Sequence, residues 1–406
     1  MLRDPRHAWH SAPGSESDLV SRARSRTTHR GVASAKVAMI GAGPLARMTH
    51  QASVDLDVDF VVLAESLDDS AVLGGASYRL GSASCLADIQ AVAAGADAVI
   101  FDHELVAGAH LVELERLGFR LRPASSALSL ARNRLKARTA LSAAGFPVST
   151  FGAVSSPQDV VNFAEECGWP VVVKSAGGGH DGRGVHFIDG PGQLADLFDK
   201  EPCESHGWLV EQYVDIAAEL FILIARTVSG RVALYPAVQT IQRAGICRYQ
   251  IMPAPLPSPI TEQAGRIAKS VADGIDATGM LAVGMFLDTN GRLLVNDLAF
   301  RPHNSGRVTF EACETSQFHQ HLRATLDWPL GATTLRGPAA TVNLMTGSDA
   351  VDLADRLPAA LAVSGAHVHL YSNVVRPGRV FGHVTALGSS IEQALETAQT
   401  AAVLLT

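Results

Sequence analysis

LAVGMFLDTNGRLLVNDLAFRPHNSG, residues 281–306, is the stretch on which the fold turns. Two β-rich runs flank Asn290-Gly291, a strong short-range hairpin signal. Taken as a two-residue turn, that dipeptide pairs Thr289 with Arg292. Counting back along both strands sets Gly284 opposite Asp297, with both positions on one face. An acid at the end of such a strand, followed by Arg301, His303 and Asn304, fits two readings. It can hold magnesium and phosphate oxygens, or it can form a structural ion pair with its arginines.

Working outward, the segments before the hairpin are also β-rich. WLVEQYV (208–214) and AELFILIARTV (218–228) are long apolar runs, and Ser229-Gly230 turns the second into RVALYPAV (231–238). Helical patterns over 258–277 and 315–326 flank the hairpin. Earlier still, KVAMIG (36–41), DFVVLAE (59–65) and ADAVIFD (96–102) read as buried strands. A helix runs to about Leu56, a helix-like stretch lies between the later strands, and HLVELERLG (110–118) is another helix. Strands alternating with helices imply right-handed crossovers and a parallel, doubly wound sheet. The pattern is helical from Ser125 to Ala144, and then strand and helix alternate again through STFGAV, PQDVVNFAEECG and WPVVVKSA. After the break LRGPAAT (335–341), a third small α/β segment reaches the C-terminus. The expected organisation is an extension over 1–35, a doubly wound domain over 36–124, a domain over 125–336 with a lid near 149–210, and a C-terminal cap over 337–406.

Composition narrows the function. At 406 residues two or three domains are expected. The formal net charge of -7 argues against a general nucleic-acid binder. No run of 18 apolar residues appears, so no membrane span is expected. Cys85, Cys167, Cys203, Cys247 and Cys313 form no C-x-x-C pair, which fits reduced thiols in a cytosol. Residues 1–35 are rich in Arg, Ser and His and lack the apolar core of a secretory signal. They read as a disordered tail or a misplaced start codon.

Two glycine-rich turns stand out. GAGPLARM (41–48) joins a strand to a helix, but Ala46 stands where a dinucleotide fingerprint needs its third glycine. A phosphate seat and simple tight packing are both open. GGGHDGRGV (177–185) follows Lys174, which ends a strand. A lysine beside a mobile glycine loop suits a polyphosphate, with the loop closing over it; the plainer reading is a hairpin turn. Glu211 and Glu219 bracket a strand connection that can serve a nucleotide, or they are solvated surface acids.

At these residues a resemblance enters. LVNDLAFRPHNSGRVTFEACETSQFHQHLRATLDWPLG, GGGHDGRG, VEQYVDIAAEL and HLYSNVVRPGRVFGHVT together resemble the carboxyaminoimidazole ribonucleotide synthetases of de novo purine synthesis. The likeness covers 36–406 in order. It implies an α/β ATP-grasp fold with a preATP-grasp domain, a cytoplasmic homodimer, and ATP with magnesium. It also implies that ATP and bicarbonate give carboxyphosphate, whose carboxyl group passes to the amine of aminoimidazole ribonucleotide. By correspondence, Arg134 and Lys174 contact ATP phosphates, Glu211 and Val214 the adenine, and Glu219 the ribose. Gly179 and Asn296 join them on the nucleotide side. Asp181 and Arg183 lie on the flap, and with Arg301, His303 and Asn304 they belong to the reacting centre. Glu104, His180, Ser305, Arg376 and Arg379 lie toward the nucleotide substrate, and Asp297 is a magnesium carboxylate.

The departures cluster on the metal and the acceptor. Gly284 stands where the family has a glutamate, and Asp297 is shorter than the family's second glutamate. Pro44, Leu105, His180, Phe300, Asn373 and Val380 replace family residues as well. The resemblance therefore admits a purine enzyme with relaxed metal binding, a paralogue acting on another amine, or a pseudoenzyme that binds nucleotide without turnover. Gly284→Glu is expected to tighten magnesium dependence if the hairpin register is right.

Overall fold

The structure is a computed structural model, and it describes residues 34–177, 184–200, 207–243, 245–346, 353–372 and 378–406. Gly179, His180, Asp181, Arg183 and Arg376 lie outside the described residues, as do residues 1–33 and Asn373.

The first sheet is parallel. Its strands are β1 (Lys36–Ile40), β2 (Asp59–Ala64), β3 (Ser77–Leu80) and β4 (Ala98–Phe101), in the order β3-β2-β1-β4. The hydrophobic pattern finds three of these. The edge strand β3 escapes it because SYRL is exposed at every position, so burial never imprints a period on the sequence. Helix α1 (Pro44–Asp55) follows β1. Its N-terminal turn resolves the open question at GAGPLARM. The Asp102 carboxylate accepts from the Gly43 amide (2.6 Å) and the Ala46 amide (3.1 Å), so an internal acid occupies the seat a phosphate would take.

A second, antiparallel sheet holds β5 (Phe151–Val154), β6 (Val171–Ser175), β7 (Val185–Ile188) and β8 (Trp208–Gln212), in the order β5-β8-β6-β7. It covers the stretch where the sequence leads one to expect a lid. Helix α2 (Arg134–Ala143) precedes it, started by Asn133, whose side chain accepts from the Lys136 amide at 2.9 Å.

The third sheet is the largest. Its strands are β9 (Ile216–Arg226), β10 (Val232–Leu234), β11 (Val238–Arg243), β12 (Ile246–Met252), β13 (Gly279–Asp288), β14 (Leu293–Ala299), β15 (Ala339–Met345), β16 (Ala366–Leu370) and β17 (Val380–Leu387). The order is β14-β13-β9-β11-β12-β15-β17-β16, with β10 beside β9. The C-terminal strands thus continue this sheet through the β12–β15 pair. β9 and β13 are apolar on both faces because both faces are covered. Leu220, Ile222, Val283 and Met285 pack toward α3 (Ser258–Ile275). Leu223, Ala225, Met280 and Ala282 pack with Val308 of the 303–308 loop, with Ala312 of the short helix α4 (Thr309–Ala312), and with Ala324 of α5 (Gln317–Thr325). Among the described residues no helix is long and apolar enough to cross a membrane.

The decisive hairpin departs from the simple count. The Asp288 amide donates to the Arg292 carbonyl at 3.0 Å, so the turn holds three residues, Thr289, Asn290 and Gly291, and Thr289 does not pair with Arg292. Gly291 takes the left-handed conformation (φ 81°) that this turn needs. Asp288 pins the turn by accepting from the Arg292 amide (2.7 Å) and the Asn290 amide (3.0 Å). Further along, the register shifts between Gly284 and Met285, leaving Asn296 as an extra residue in β14. The bulge offsets the longer turn. Gly284 does face Asp297.

Gly279, at the start of β13, has φ 98°, and a Cβ there would meet the buried His321 ring at 2.9 Å. That ring accepts from the Met280 amide at 3.0 Å, so it cannot swing away freely. Gly279→Ala is therefore expected to cost about 2 kcal/mol or more. Urea unfolding of the two proteins measures it, and equal midpoints would refute the argument.

Candidate active site

Three strands and one helix bring their polar residues to the seam between the lid sheet and the large sheet. Glu211 of β8 is buried, and its two carboxylate oxygens meet Arg138 Nε of α2 and Lys174 Nζ of β6. Asn296 Oδ1, on the bulge of β14, accepts from Arg138 Nη2 (3.0 Å) and Lys174 Nζ (3.4 Å). Arg134, one helical turn before Arg138, donates through Nη1 to the Ser175 carbonyl at 2.8 Å. Two cations thus grip one carboxylate, and Arg134 adds a third positive charge nearby. Burial disfavours ionisation of Glu211, but Lys174 and Arg138 outweigh it and hold its pKa at about 2. Burial lowers the Lys174 and Arg134 pKa values, and Glu211 opposes both shifts. The surplus of positive charge suits a polyphosphate.

Glu219 of β9 lies on the same face. Its Oε2 accepts from Gln242 Nε2 (2.7 Å) and Thr240 Oγ1 (3.0 Å) of β11, and burial raises its pKa. Val214 sits half-buried in the connection between β8 and β9.

The bulge sends Asp297 to this face too. Asp297 is exposed, and among the described residues no hydrogen-bond donor engages its carboxylate. Beside it a Cβ on Gly284 would meet the Phe221 ring at 2.8 Å and Asp297 Cβ at 3.2 Å. Phe221 therefore fills the space that a side chain at 284 would need. Its ring stacks on His303, with centroids 4.7 Å apart.

The loop after β14 is held tightly. Gln317 of α5 accepts from the His303 amide (2.9 Å) and donates to the His303 carbonyl (2.8 Å). His303 Nδ1 accepts from the Ser305 amide (3.2 Å) and lies 2.8 Å from Ser305 Oγ. Burial and the positive charges of Arg301 and Arg307 depress the His303 pKa to about 3, against the pull of Asp297. The imidazole is neutral at physiological pH. With Nδ1 accepting, Nε2 carries the hydrogen and donates. Asn304 is half-buried in this loop, and its Oδ1 accepts from Arg307 Nη2 at 2.7 Å. Arg301 Nε lies 2.9 Å from Glu104 Oε1, joining this loop to the segment after β4. Arg379 is exposed just before β17.

The structure thus gathers Arg134, Lys174, Glu211 and Asn296 into one cluster, with Glu219 and Asp297 on the adjoining face. Glu104, Arg301, His303, Asn304 and Ser305 form the neighbouring wall. Sequence reasoning missed Arg138, Phe221 and Gln317. Arg138 had a visible signal, since it lies four residues after Arg134 on one helix face. Phe221 and Gln317 had none, because a buried ring and a buried amide look like ordinary core and cap residues.

Comparison with known proteins gives this geometry a lineage. A ribonucleotide synthetase preATP-grasp domain matches residues 34–132, an ATP-grasp domain 139–318, and a phosphoribosylaminoimidazole carboxylase C-terminal domain 339–397. The N5-carboxyaminoimidazole ribonucleotide synthase of Mycobacterium tuberculosis is 42% identical over 371 residues, 90% of this chain and 86% of that one. The chain belongs to the N5-carboxyaminoimidazole ribonucleotide synthase family. The Corynebacterium ammoniagenes synthase is 35% identical over 91% of each chain. Among solved structures, the Thermotoga maritima synthetase superposes on this family member with a TM-score of 0.81 at 30% identity, covering 92% of this chain and 99% of that one. The Aspergillus clavatus synthase, solved with ADP and 5-aminoimidazole ribonucleotide, gives 0.84 at 26% identity over 92% and 98%.

The Glu211 cluster sets a pH dependence. Its folded pKa of about 2 lies below the ordinary 4.5, so the stability it adds is full above pH 4.5 and is lost as pH falls toward 2. Glu211→Gln should flatten that acid limb. At neutral pH it should cost about 3 kcal/mol, because Lys174 and Arg138 lose their counter-charge. Chemical denaturation across pH reads both effects, and an unchanged acid limb would count against the cluster.

Proposed function

We propose that this chain is an ATP- and bicarbonate-dependent synthase that carboxylates the amine of aminoimidazole ribonucleotide in purine biosynthesis. The observation that carries the reading is the seam itself: Lys174 and Arg138 on Glu211 with Arg134 nearby, an open acid at Asp297, and a neutral, donor-bearing His303 on the adjoining wall.

In this reading Arg134, Arg138 and Lys174 bind the triphosphate and offset charge as the terminal phosphoryl group moves to bicarbonate. That step breaks the bond between the β–γ bridging oxygen and the γ-phosphorus, forms a bond from a bicarbonate oxygen to that phosphorus, and leaves ADP. The substrate amine then attacks the carboxyl carbon of carboxyphosphate, phosphate departs, and the amine gives up a proton. Carboxyphosphate hydrolyses readily, so the glycine loop over 177–184 acts as the cover that excludes water. His303 Nε2–H donates to the substrate side, and the Glu104–Arg301 pair sets the position of its loop. Glu219 takes the ribose, Val214 lines the adenine side, and Arg379 with Arg376 meets the substrate phosphate.

Magnesium fits this donor set through Asp297 and the phosphates of bound ATP. Among the described residues no group of three or more His, Cys, Asp or Glu side chains could hold a metal ion. Magnesium commonly uses one or two carboxylates together with substrate phosphates, and Asp297 supplies one. When bound, it would offset phosphate charge. A cytoplasmic homodimer accords with the family resemblance.

The direct test follows ADP release. It should appear when ATP, bicarbonate and aminoimidazole ribonucleotide are all present and fall to background when either of the last two is withheld. Release supported by another amine but not by this one would reject the substrate assignment. The metal face has its own test. Although Gly284 faces Asp297, the tightening expected of Gly284→Glu from the register alone is corrected by Phe221: the single variant should lower the thermal midpoint and add no Mn2+ binding, because the ring holds the space. Adding Phe221→Ala should open the space and tighten Mn2+ binding read by paramagnetic resonance. Tighter binding in the single variant would mean that Phe221 does not block the site.

A further inference from the structure

Arg307 is 5% exposed and follows the 303–306 loop directly. Its Nη2 donates to Asn304 Oδ1 at 2.7 Å and its Nη1 to Asn343 Oδ1 of β15 at 3.3 Å. The guanidinium carbon lies 4.8 Å from the centre of the Tyr371 ring. Tyr371 is fixed in turn, with its hydroxyl hydrogen-bonded to His383 Nδ1. His383 stacks on His369 at 4.5 Å, and His369 Nε2 meets Glu311 Oε1 of α4 at 2.6 Å. A continuous set of contacts therefore runs from the loop into β15–β17 and back to α4.

The cation is buried among amide oxygens and an aromatic face. A desolvated cation is costly unless such groups replace its water, and the ring face adds a favourable cation–π contact. Arginine only donates. The Asn304 atom that faces it must therefore be the carbonyl oxygen. This fixes the amide's direction and leaves the Nδ2 hydrogens as the groups that point elsewhere.

We propose that Arg307 is a positioning residue that sets the polarity of Asn304. Asn304 thereby offers N–H donors to an acceptor atom of the amine substrate, a ring nitrogen or a sugar oxygen. This rests on the reading that the 303–305 loop faces that substrate. The C-terminal strands then govern substrate selection without touching the substrate through Arg307.

Steady-state kinetics with aminoimidazole ribonucleotide and ATP test it. Arg307→Met keeps bulk and removes the donors and the charge. Asn304→Asp keeps the oxygens and removes the N–H donors. Each should raise the amine KM about tenfold while the ATP KM stays unchanged, and the double variant should be no worse than the poorer single. Tyr371→Phe keeps the ring over Arg307 and should keep the amine KM, whereas Tyr371→Leu should raise it; this pair carries the test if Arg307→Met does not fold. An effect of Asn304→Asp without one of Arg307→Met overturns the proposal and leaves the loop's role standing. No effect of Asn304→Asp overturns both. Effects that multiply in the double variant, or an ATP KM that rises in step, also overturn it.

Discussion

One extra residue in β14 orders the whole cleft. Strand side chains alternate, so Leu293 and Val295 face α3 and its apolar core. Continued alternation would send Asp297 into that core, where an unpaired carboxylate is costly. The bulge at Asn296 turns two consecutive polar residues to the opposite face. Asn296 joins the buried cations, and Asp297 stays open to solvent.

That geometry divides charge between two neighbouring places. The Glu211 cluster is crowded with cations and largely closed. The Asp297 wall carries an open negative charge beside an aromatic ring and a neutral imidazole. Phosphate chemistry suits the first place, and a metal or a developing positive centre suits the second. The two are joined by a single dipeptide, so neither can shift without the other. Arg301 and Glu104 extend this coupling to the first domain, and Gln317 extends it to α5.

Much of this was legible in the chain. Hydrophobic runs and turn residues revealed the parallel and antiparallel sheets, and Lys174, Glu211 and Asn296 were named before their convergence was visible. The Gly284–Asp297 pairing was right for an incomplete reason. The turn is one residue longer than counted and the strand one residue fuller, and the two differences cancel. Bulges leave little trace in a period-two pattern, so sequence alone does not reveal such a cancellation. β3 was missed because its exposed residues carry no alternation. The sequence shows only that Gly284 brings no side chain to the space beside Asp297; Phe221 reaches across from the adjoining strand to fill it. Such contacts between strands distant in sequence are set by packing, which single-chain spacing does not encode.

Asp102 has a consequence for how the first domain is to be understood. Its carboxylate accepts from the amides at the head of α1, so the fold's customary anion receptor is plugged from within. A soluble phosphate approaching that turn would meet amides already engaged by Asp102. What the parallel domain does offer the cleft is Glu104, which meets Arg301 from the segment after β4. The turn that seats a phosphate in dinucleotide binders is here tied to the end of β4 by one acid, which locks helix α1 to the sheet.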